Sequence, residues 1–246
     1  MSLRRPKKCE IRVGVAGWSI PSRYKDELPG SGSHLQRYAG RLNAVEINSS
    51  FHRHHREQTY ARWAAAVPPH FRFSVKLPRA LTHEGELTAR ADVLDRFVEE
   101  VRGLGDKLAV LLVQLPPKLE FNRRPASQFF KVVQRRIDVP LACEPRHPSW
   151  SSKQATTLLE DYSVARVAAD PPPWPGAEIP GGSPGLVYFR WHGQPRKYYS
   201  DYGAECLAKL KTQMLTSRAS QVWAVFDNTA HGYALENALA MSDAIK

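Results

Sequence analysis

Two glutamates stand where short apolar segments give way to polar residues: Glu46 in EINSSFH and Glu144 in CEPRHPSW. If both side chains point into one pocket, they could act as a general acid and base or as ligands of a divalent metal. The alternative is that each carboxylate only pairs with a nearby cation, for which Arg146 and Lys76 are the obvious candidates. We predict a catalytic role for both glutamates.

Histidine and aspartate side chains follow several of the same apolar segments. We expect His147 and His192 to carry protons or bind a metal, and His83, Asp170 and Asp227 to contact substrate. Together these groups offer enough nitrogen and oxygen ligands for a divalent metal, although no H-x-H or H-E-x-x-H spacing is present. A metal therefore stays an open alternative with its ligands unassigned, and no organic cofactor is indicated.

Four cationic side chains are predicted to bind and neutralise phosphate, namely Lys76, Arg146, Arg190 and Arg196. Lys76 could instead form a Schiff base if it is desolvated, or pair with Glu46. The segment HGQPRKYYSDY interleaves basic residues with tyrosines, which suits phosphate binding or stacking on unpaired bases. The alternative is a solvated loop whose tyrosines pack on the rim.

Neutral polar and aromatic residues complete the predicted pocket. We expect Trp18 and Trp150 to form its apolar walls, and Asn48, Gln114 and Asn228 to orient a ligand. The alternatives are that the tryptophans pack in the interior and that the amides cap loop backbone.

The elements that must position these residues are apolar, strand-like segments, each followed by a polar cluster. The pattern occurs about eight times, with helical apolar spacing between the segments, as over residues 89–104. Strands with polar C-terminal ends that alternate with helices are how a (β/α)8 barrel presents an active site. The sequence therefore predicts an α/β fold, a single TIM-like (β/α)8 barrel over residues 11–246.

Two segments depart from a regular barrel. The proline- and glycine-rich stretch Pro171–Gly185 cannot form a helix, so we expect an irregular sixth βα unit with a long loop. Residues 1–10, MSLRRPKKCE, lack an apolar core, which excludes a signal peptide and predicts a flexible basic arm.

Seven motifs occur in a fixed order along the chain: GWS, VEINSSF, FSVKLPRALTH, LLVQLPP, CEPRHPSW, YFRWHG and FDNTAHGYALENA. From about Val13 to Ala240 the chain thereby resembles the YecE-like family, an uncharacterised family with a (β/α)8-barrel fold. The resemblance implies that fold and a shared site, but no substrate. Two departures are His52, where the family usually has tyrosine, and E-P-R-H at residues 144–147 in place of E-F-R-H.

Composition narrows the setting and the partners. With 35 Lys and Arg against 24 Asp and Glu, the net charge of +11 favours a polyanionic partner or a phosphorylated substrate. Three widely spaced cysteines and no C-x-x-C argue against a disulfide framework and favour the cytoplasm. No apolar run approaches the roughly 20 residues of a membrane helix, so we expect no membrane partner. The sequence is compatible with a monomer.

The leading hypothesis is an enzyme that hydrolyses a phosphate-bearing substrate, with a nucleic acid as one candidate substrate and metal assistance as an open alternative. The first alternative is a non-catalytic nucleic-acid-binding protein that uses the basic rim. The second is an isomerase or lyase acting on a small sugar-like metabolite. All three place the site at the C-terminal ends of the strands.

Overall fold

A computed structural model of the protein describes residues 9–246. The strands are β1 (Glu10–Val15), β2 (Ala44–Ile47), β3 (Arg72–Lys76), β4 (Leu108–Gln114), β5 (Leu141–Glu144), β6 (Ala165–Arg166), β7 (Ala168–Asp170), β8 (Gly181–Gly182), β9 (Leu186–Trp191) and β10 (Gln221–Phe226). The helices are α1 (His34–Ala39), α2 (Glu57–Ala65), α3 (Arg79–Thr82), α4 (Ala91–Val101), α5 (Arg123–Arg136), α6 (Lys153–Asp161), α7 (Ala204–Thr216) and α8 (Tyr233–Ala244).

The predicted N-terminal arm mostly lies outside the described residues, since these begin at Cys9. Its last residue, Glu10, already belongs to β1. Cys9, Cys143 and Cys206 all carry free thiols. Within residues 9–246, every helix is too short or too polar to cross a bilayer.

Local sequence explains why the elements form where they do. Helix α4 buries Leu94, Phe97 and Val101, which recur at helical spacing, and the remainder of the predicted 89–104 helix continues as a 3-10 turn. Strand β4 is apolar along its length, and Val110–Gln114 are buried, as expected of a strand covered on both faces. Helix α1 begins with a capping box between Ser33 and Gln36.

Backbone pairing arranges the strands in two sheets. One has the order β1-β10-β9-β7 and the other the order β2-β3-β4-β5-β6-β8, and every pairing is parallel except that of β8 with β6. The predicted α/β class with parallel strands is therefore confirmed. A closed sheet is not found within residues 9–246, so the predicted barrel closure is not confirmed by the pairing.

The seam between β1 and β2 shows why the two sheets are separate. The Tyr38 hydroxyl stands between the strands, where it accepts from the Val15 N–H (2.9 Å) and donates to the Ala44 carbonyl (2.8 Å). A Cβ atom on Gly14 would lie 2.2 Å from the Ala44 oxygen, so only glycine permits this approach. A side chain thus replaces part of the ladder that would otherwise join the strands.

A second side chain bridges the same seam. The Asn43 Oδ1 accepts from the Val13 N–H (2.9 Å), and its Nδ2 donates to the Ile11 carbonyl (2.9 Å). Direct backbone contact resumes only at the strand ends, where the Gly17 N–H donates to the Glu46 carbonyl (2.9 Å).

At the opposite junction, the chain itself passes from one sheet to the other. Strand β6 pairs with β5 and β7 pairs with β9, and only Val167 separates them. As expected from its prolines and glycines, the fully described stretch 171–185 contains no helix, and its short strand β8 returns antiparallel onto β6. Because the long strands are parallel, their C-terminal ends meet at one edge, which places the predicted site residues there.

We predict that Tyr38→Phe destabilises the protein by about 1–3 kcal/mol, because it leaves the buried Val15 N–H and Ala44 carbonyl without their partner. Equilibrium unfolding in urea measures the change. Tyr199→Phe is the matched control, since that ring is exposed, and it should change stability by less than about 0.5 kcal/mol. Equal effects for the two variants would contradict a role for Tyr38 in the seam.

Candidate active site

A fully buried ion pair between Glu46 and Arg190 lies at the centre of the strand-end edge. Arg190 Nε and Nη2 donate to the two Glu46 oxygens, at 3.0 Å to Oε2 and 2.7 Å to Oε1. The Tyr188 hydroxyl donates to Glu46 Oε2 (2.8 Å). Both oxygens of this inaccessible carboxylate are therefore occupied. The structure favours ion pairing over the acid–base role predicted for Glu46, with Arg190 rather than Lys76 or Arg146 as partner.

The same guanidinium also holds two further carboxylates. Its Nη1 lies 2.7 Å from Glu144 Oε2, and its Nη2 lies 3.1 Å from Asp227 Oδ2. Burial lowers the pKa of Arg190, but the charges of Glu46, Asp227 and Glu144 outweigh it and hold the pKa well above its ordinary value. Arg190 is thus the permanent cation on which three acidic side chains converge.

His192 joins two of these carboxylates from the other side. Its Nε2 lies 2.9 Å from Glu144 Oε1, and its Nδ1 lies 2.9 Å from Asp227 Oδ2. A carboxylate oxygen can only accept, so both contacts are hydrogen bonds when both ring nitrogens carry hydrogen. Arg190, Glu144, His192 and Asp227 therefore form a closed, buried ring of contacts between polar side chains, which we call the charge ring.

The charge ring keeps its carboxylates ionised. Burial raises the pKa of Glu144, but Arg190, then Arg146 and His192, outweigh it and place the pKa well below its ordinary value. The pKa of Asp227 is likewise low, because Arg190 and His192 outweigh the effect of burial. The ring is a stable floor of paired charges rather than a set of free acids and bases.

Lys76 lies above this floor at the end of β3, with its Nζ 4.1 Å from the centre of the Phe51 ring. The side chain is 8% exposed, and within residues 9–246 no carboxylate lies within 4.0 Å of its Nζ. Burial lowers its pKa to about 8, assisted by Arg190 and opposed by the acidic ring members. Lys76 is therefore available to an incoming ligand.

Two further cations, Arg146 and Lys197, and the histidine His83 belong to the same group as Lys76. Arg146 Nη2 donates to Glu144 Oε1 (3.1 Å), while its buried Nε lacks a protein partner. Burial lowers the pKa of His83 to about 4, and the positive charge of Lys76 contributes to the same shift. Burial also lowers the pKa of Lys197 to about 8, and the positive charge of Arg146 contributes to the same shift. These mutual effects indicate that the four side chains lie near one another, and we call this group the cationic mouth.

Amide side chains at the same edge offer unused acceptors. The Oδ1 atoms of Asn48 and Asn228 are buried without a hydrogen-bond partner in the described chain. Asn228 is fixed through its Nδ2, which donates to the Ser200 carbonyl (2.9 Å) and to Asn237 Oδ1 (2.9 Å). Gln114 ends β4 at this edge and is nearly buried. Unpaired buried acceptors are expected where a ligand or water completes the site.

Three predicted residues are directed elsewhere. His147 caps the turn that begins at residue 148, and its Nδ1 accepts from the Ser149 N–H (3.2 Å). Trp150 is 1% exposed, so it belongs to the interior and does not line an open pocket. Trp18 is half-buried with its ring centre 5.0 Å from that of Trp63. The structure does not bring these side chains into the charge ring.

Asp170 ends β7, whereas Arg196 belongs to the loop that follows β9. Asp170 Oδ1 accepts from the Tyr202 hydroxyl (2.6 Å), and its Oδ2 accepts from Gln194 Nε2 (2.7 Å), so this carboxylate anchors the loop. Arg196 is exposed and stacks over the Tyr199 ring at 4.0 Å. Neither is a member of the charge ring.

Sequence reasoning missed Tyr188, and it considered Lys197 only as part of the basic, tyrosine-rich segment after β9. Tyr188 and Arg190 are two positions apart on β9 and therefore point to the same side of the sheet. That alternation was a usable signal for Tyr188. Lys197 gave no such signal, because its position depends on how the loop after β9 folds.

The sequence left a divalent metal as an open alternative, and the described residues offer no set of ligands for one. Within residues 9–246, no group of three or more His, Cys, Asp or Glu side chains is placed to hold a metal ion. The physical reason is that the guanidinium of Arg190 occupies the position between the three carboxylates.

Comparison with known proteins identifies relatives along almost the whole chain. Residues 12–246 match the family described as "Protein of unknown function DUF72". The UPF0759 protein YunF of Bacillus subtilis (strain 168) is 22% identical over 94% of this chain and 93% of that protein. The UPF0759 protein YecE of Escherichia coli (strain K12) is 26% identical over 66% of this chain and 60% of that protein.

Solved structures show the same fold. A DUF72 family protein from Enterococcus faecalis V583 superimposes with a TM-score of 0.79 at 25% identity, covering 96% of this chain and 95% of that one. One from Thermotoga maritima MSB8 gives a TM-score of 0.78 at 23% identity, covering 96% and 99%.

We predict that Arg190→Met destabilises the protein at pH 7 by about 3–5 kcal/mol, because three buried carboxylates lose their shared cation. The wild-type carboxylates have low pKa values in the folded state, so their stabilisation is present near neutrality and is lost as the pH falls through those values. Without Arg190, burial raises these pKa values. The deficit of the variant should therefore shrink between pH 7 and pH 5.

Urea unfolding of both proteins at the two pH values measures this difference. Arg123→Met, which removes an exposed ion pair with Asp161, is the matched control and should cost at most about 1 kcal/mol at either pH. A deficit for Arg190→Met that is the same at pH 5 and pH 7 would contradict the charge ring as the source of the stabilisation.

Proposed function

Because the chain belongs to the family described as protein of unknown function DUF72, we propose its function from the site itself. We propose an enzyme that binds an anionic, phosphate-bearing substrate in the cationic mouth and hydrolyses it. The observation that carries the proposal is the convergence of Lys76, His83, Arg146 and Lys197 above a floor whose carboxylates are already paired. The net charge of +11 also favours an anionic substrate.

The paired floor supports anion binding directly. Free carboxylates beneath the mouth would repel a phosphate, but Arg190 and His192 engage those of Glu144 and Asp227. Arg146 uses one nitrogen for Glu144, and its buried Nε is free to donate to a phosphate oxygen. The unpaired oxygens of Asn48 and Asn228 would accept from hydroxyl or amino groups of the same substrate.

The two lysines supply the proton transfers in the proposed reaction. With a pKa of about 8, a fraction of Lys76 is a neutral amine near pH 7.5 and can accept a proton from the attacking water. The new P–O bond forms as the ester P–O bond breaks, and the ammonium of Lys197 donates a proton to the leaving oxygen. Arg146 stabilises the charge on the phosphoryl oxygens.

We also propose that the two sheets together form one (β/α)8 barrel. Support comes from the single residue that separates β6 from β7 and from the side-chain bridges of Tyr38 and Asn43 across the β1–β2 seam. The free thiols of all three cysteines are compatible with a cytoplasmic protein, which we propose as its setting.

We predict that inorganic pyrophosphate binds in the mouth and that Lys76→Met weakens it about tenfold, because one charge-assisted contact is lost. Wild-type affinity should fall as the pH rises from 7 to 9, since Lys76 and Lys197 lose their charge with pKa values of about 8. Calorimetric titration at each pH measures both effects. Lys131→Met, on the exposed face of α5, is the control and should bind as the wild type does.

We predict that hydrolysis of a phosphate ester requires Lys76 and Arg146. Labelled single-stranded DNA, duplex DNA and p-nitrophenyl phosphate esters form the test panel, incubated with wild type, Lys76→Met, Arg146→Met and Lys131→Met. Cleavage that is lost in the first two variants and kept in the third would support the enzyme. Pyrophosphate binding without cleavage of any substrate on this panel would overturn hydrolysis and favour a non-catalytic binding protein.

A further inference from the structure

A row of cationic and aromatic side chains, whose rings meet edge to face, crosses the rim of the strand-end edge. We call it the aromatic strip, and its members are Arg196, Tyr199, His231, Tyr233, Arg23 and Tyr24. They come from the loops after β9, β10 and β1, which are neighbours in one sheet. Three segments far apart in sequence therefore build one cluster, in which Arg23, Arg196, Tyr199 and His231 are exposed and Tyr24 is buried.

One half of the strip belongs to the loops after β9 and β10. Arg196 lies over the Tyr199 ring at 4.0 Å. The rings of Tyr199 and His231 are 5.3 Å apart, and those of His231 and Tyr233 are 6.3 Å apart. Tyr199 is 38% exposed, and Arg196 and His231 are exposed as well. Ring surface at this end of the strip is therefore open to a ligand.

The other half is fixed by Arg23 in the loop after β1. Its guanidinium lies 5.3 Å from the Tyr233 ring and 4.6 Å from the Tyr24 ring. It also donates to the backbone carbonyl of His231, which ties the loops after β1 and β10 together. The Tyr24 hydroxyl donates to Glu236 (2.5 Å), so the rings are held in place before any ligand arrives.

The strip is continuous with the cationic mouth. Arg196 and Tyr199 belong to the strip, and Lys197 and Tyr198 lie between them in the chain. The charge of Arg146 acts on Lys197, which belongs to the cationic mouth. The Tyr198 ring is 5.7 Å from that of His192. A polymer whose backbone enters the mouth would therefore pass its next units over the rings.

A cleft lies beside the strip, between the loops after β1 and β10. Its volume is about 280 Å³, and Gly17, Pro21, Thr229, Gly232 and Leu235 are among its lining residues. Gly17 presents backbone with open space where a side chain would stand. A cleft with bare backbone and apolar walls suits a flat heteroaromatic ring.

We propose that the aromatic strip and this cleft bind the unpaired bases of a single-stranded nucleic acid, with its phosphates directed to the cationic mouth. The proposal rests on the proposed function, because the mouth must accept phosphate for the polymer to be placed this way. Aromatic and guanidinium faces stack on any base, and the positive charge attracts the backbone. A duplex hides its base faces, and an acidic peptide has no comparable rings.

The test uses a fluorescein-labelled 12-mer of deoxythymidine and measures anisotropy at low and moderate salt. We expect Tyr199→Ala combined with His231→Ala to bind at least about tenfold more weakly. Tyr199→Phe keeps the ring and should bind as the wild type does. Arg196→Ala should weaken binding more than Arg124→Ala, which removes an equally exposed charge from α5.

A second oligomer of equal length, whose sugars carry no bases, separates stacking from charge. The wild type should bind it more weakly than the 12-mer, and the strip variants should bind both alike. Equal wild-type affinity for the two oligomers, or a double variant that keeps full affinity, would overturn the proposal. Pyrophosphate titration separates a failure of this proposal from a failure of the proposed function. If the strip variants still bind pyrophosphate, the cationic mouth is intact. If the wild type does not bind pyrophosphate, the proposed function itself is wrong.

Discussion

The contacts between the two sheets at their C-terminal ends depend on one buried guanidinium, that of Arg190. Arg190 and Asp227 belong to the sheet that contains β9 and β10, whereas Glu46 and Glu144 belong to the other sheet. The ion pairs of Arg190 therefore fasten the two sheets to each other at their C-terminal ends. Buried charges are costly to desolvate, so such an arrangement persists only when every oxygen is paired and the geometry is good. The contacts of 2.7 to 3.1 Å pair both oxygens of Glu46 and of Glu144, and Oδ2 of Asp227.

This constraint divides the strand-end edge into two layers with different roles. The lower layer, the charge ring, is buried, and its side chains pair with one another. The upper layer contains Lys76 without a carboxylate partner and the unpaired oxygens of Asn48 and Asn228. The carboxylates predicted as acids and bases thus hold the site in place. The side chains best suited to contact a ligand are the cations and amides above them.

Much of the fold could be predicted from the sequence, because apolar segments and helical spacing alternate regularly and the motif order identifies the family. The strand-end location of Glu46, Glu144 and Arg190 followed from the same pattern. Their pairing did not, since it depends on contacts between β2, β5 and β9, which are distant along the chain. The capping role of His147 and the seam role of Tyr38 were equally hidden, because both depend on where a side chain turns after the backbone is placed.

The seam has a mechanical consequence for the outer layer of the protein. Tyr38 belongs to α1, yet its hydroxyl completes hydrogen bonds between β1 and β2. Helix α1 therefore cannot slide over the sheets as a rigid cylinder without opening the seam beneath it. In most layered α/β proteins helices and strands touch through apolar side chains, which tolerate small displacements. Here a directional bond couples the two layers, so a displacement of α1 costs the hydrogen bonds of the seam in addition to apolar contacts.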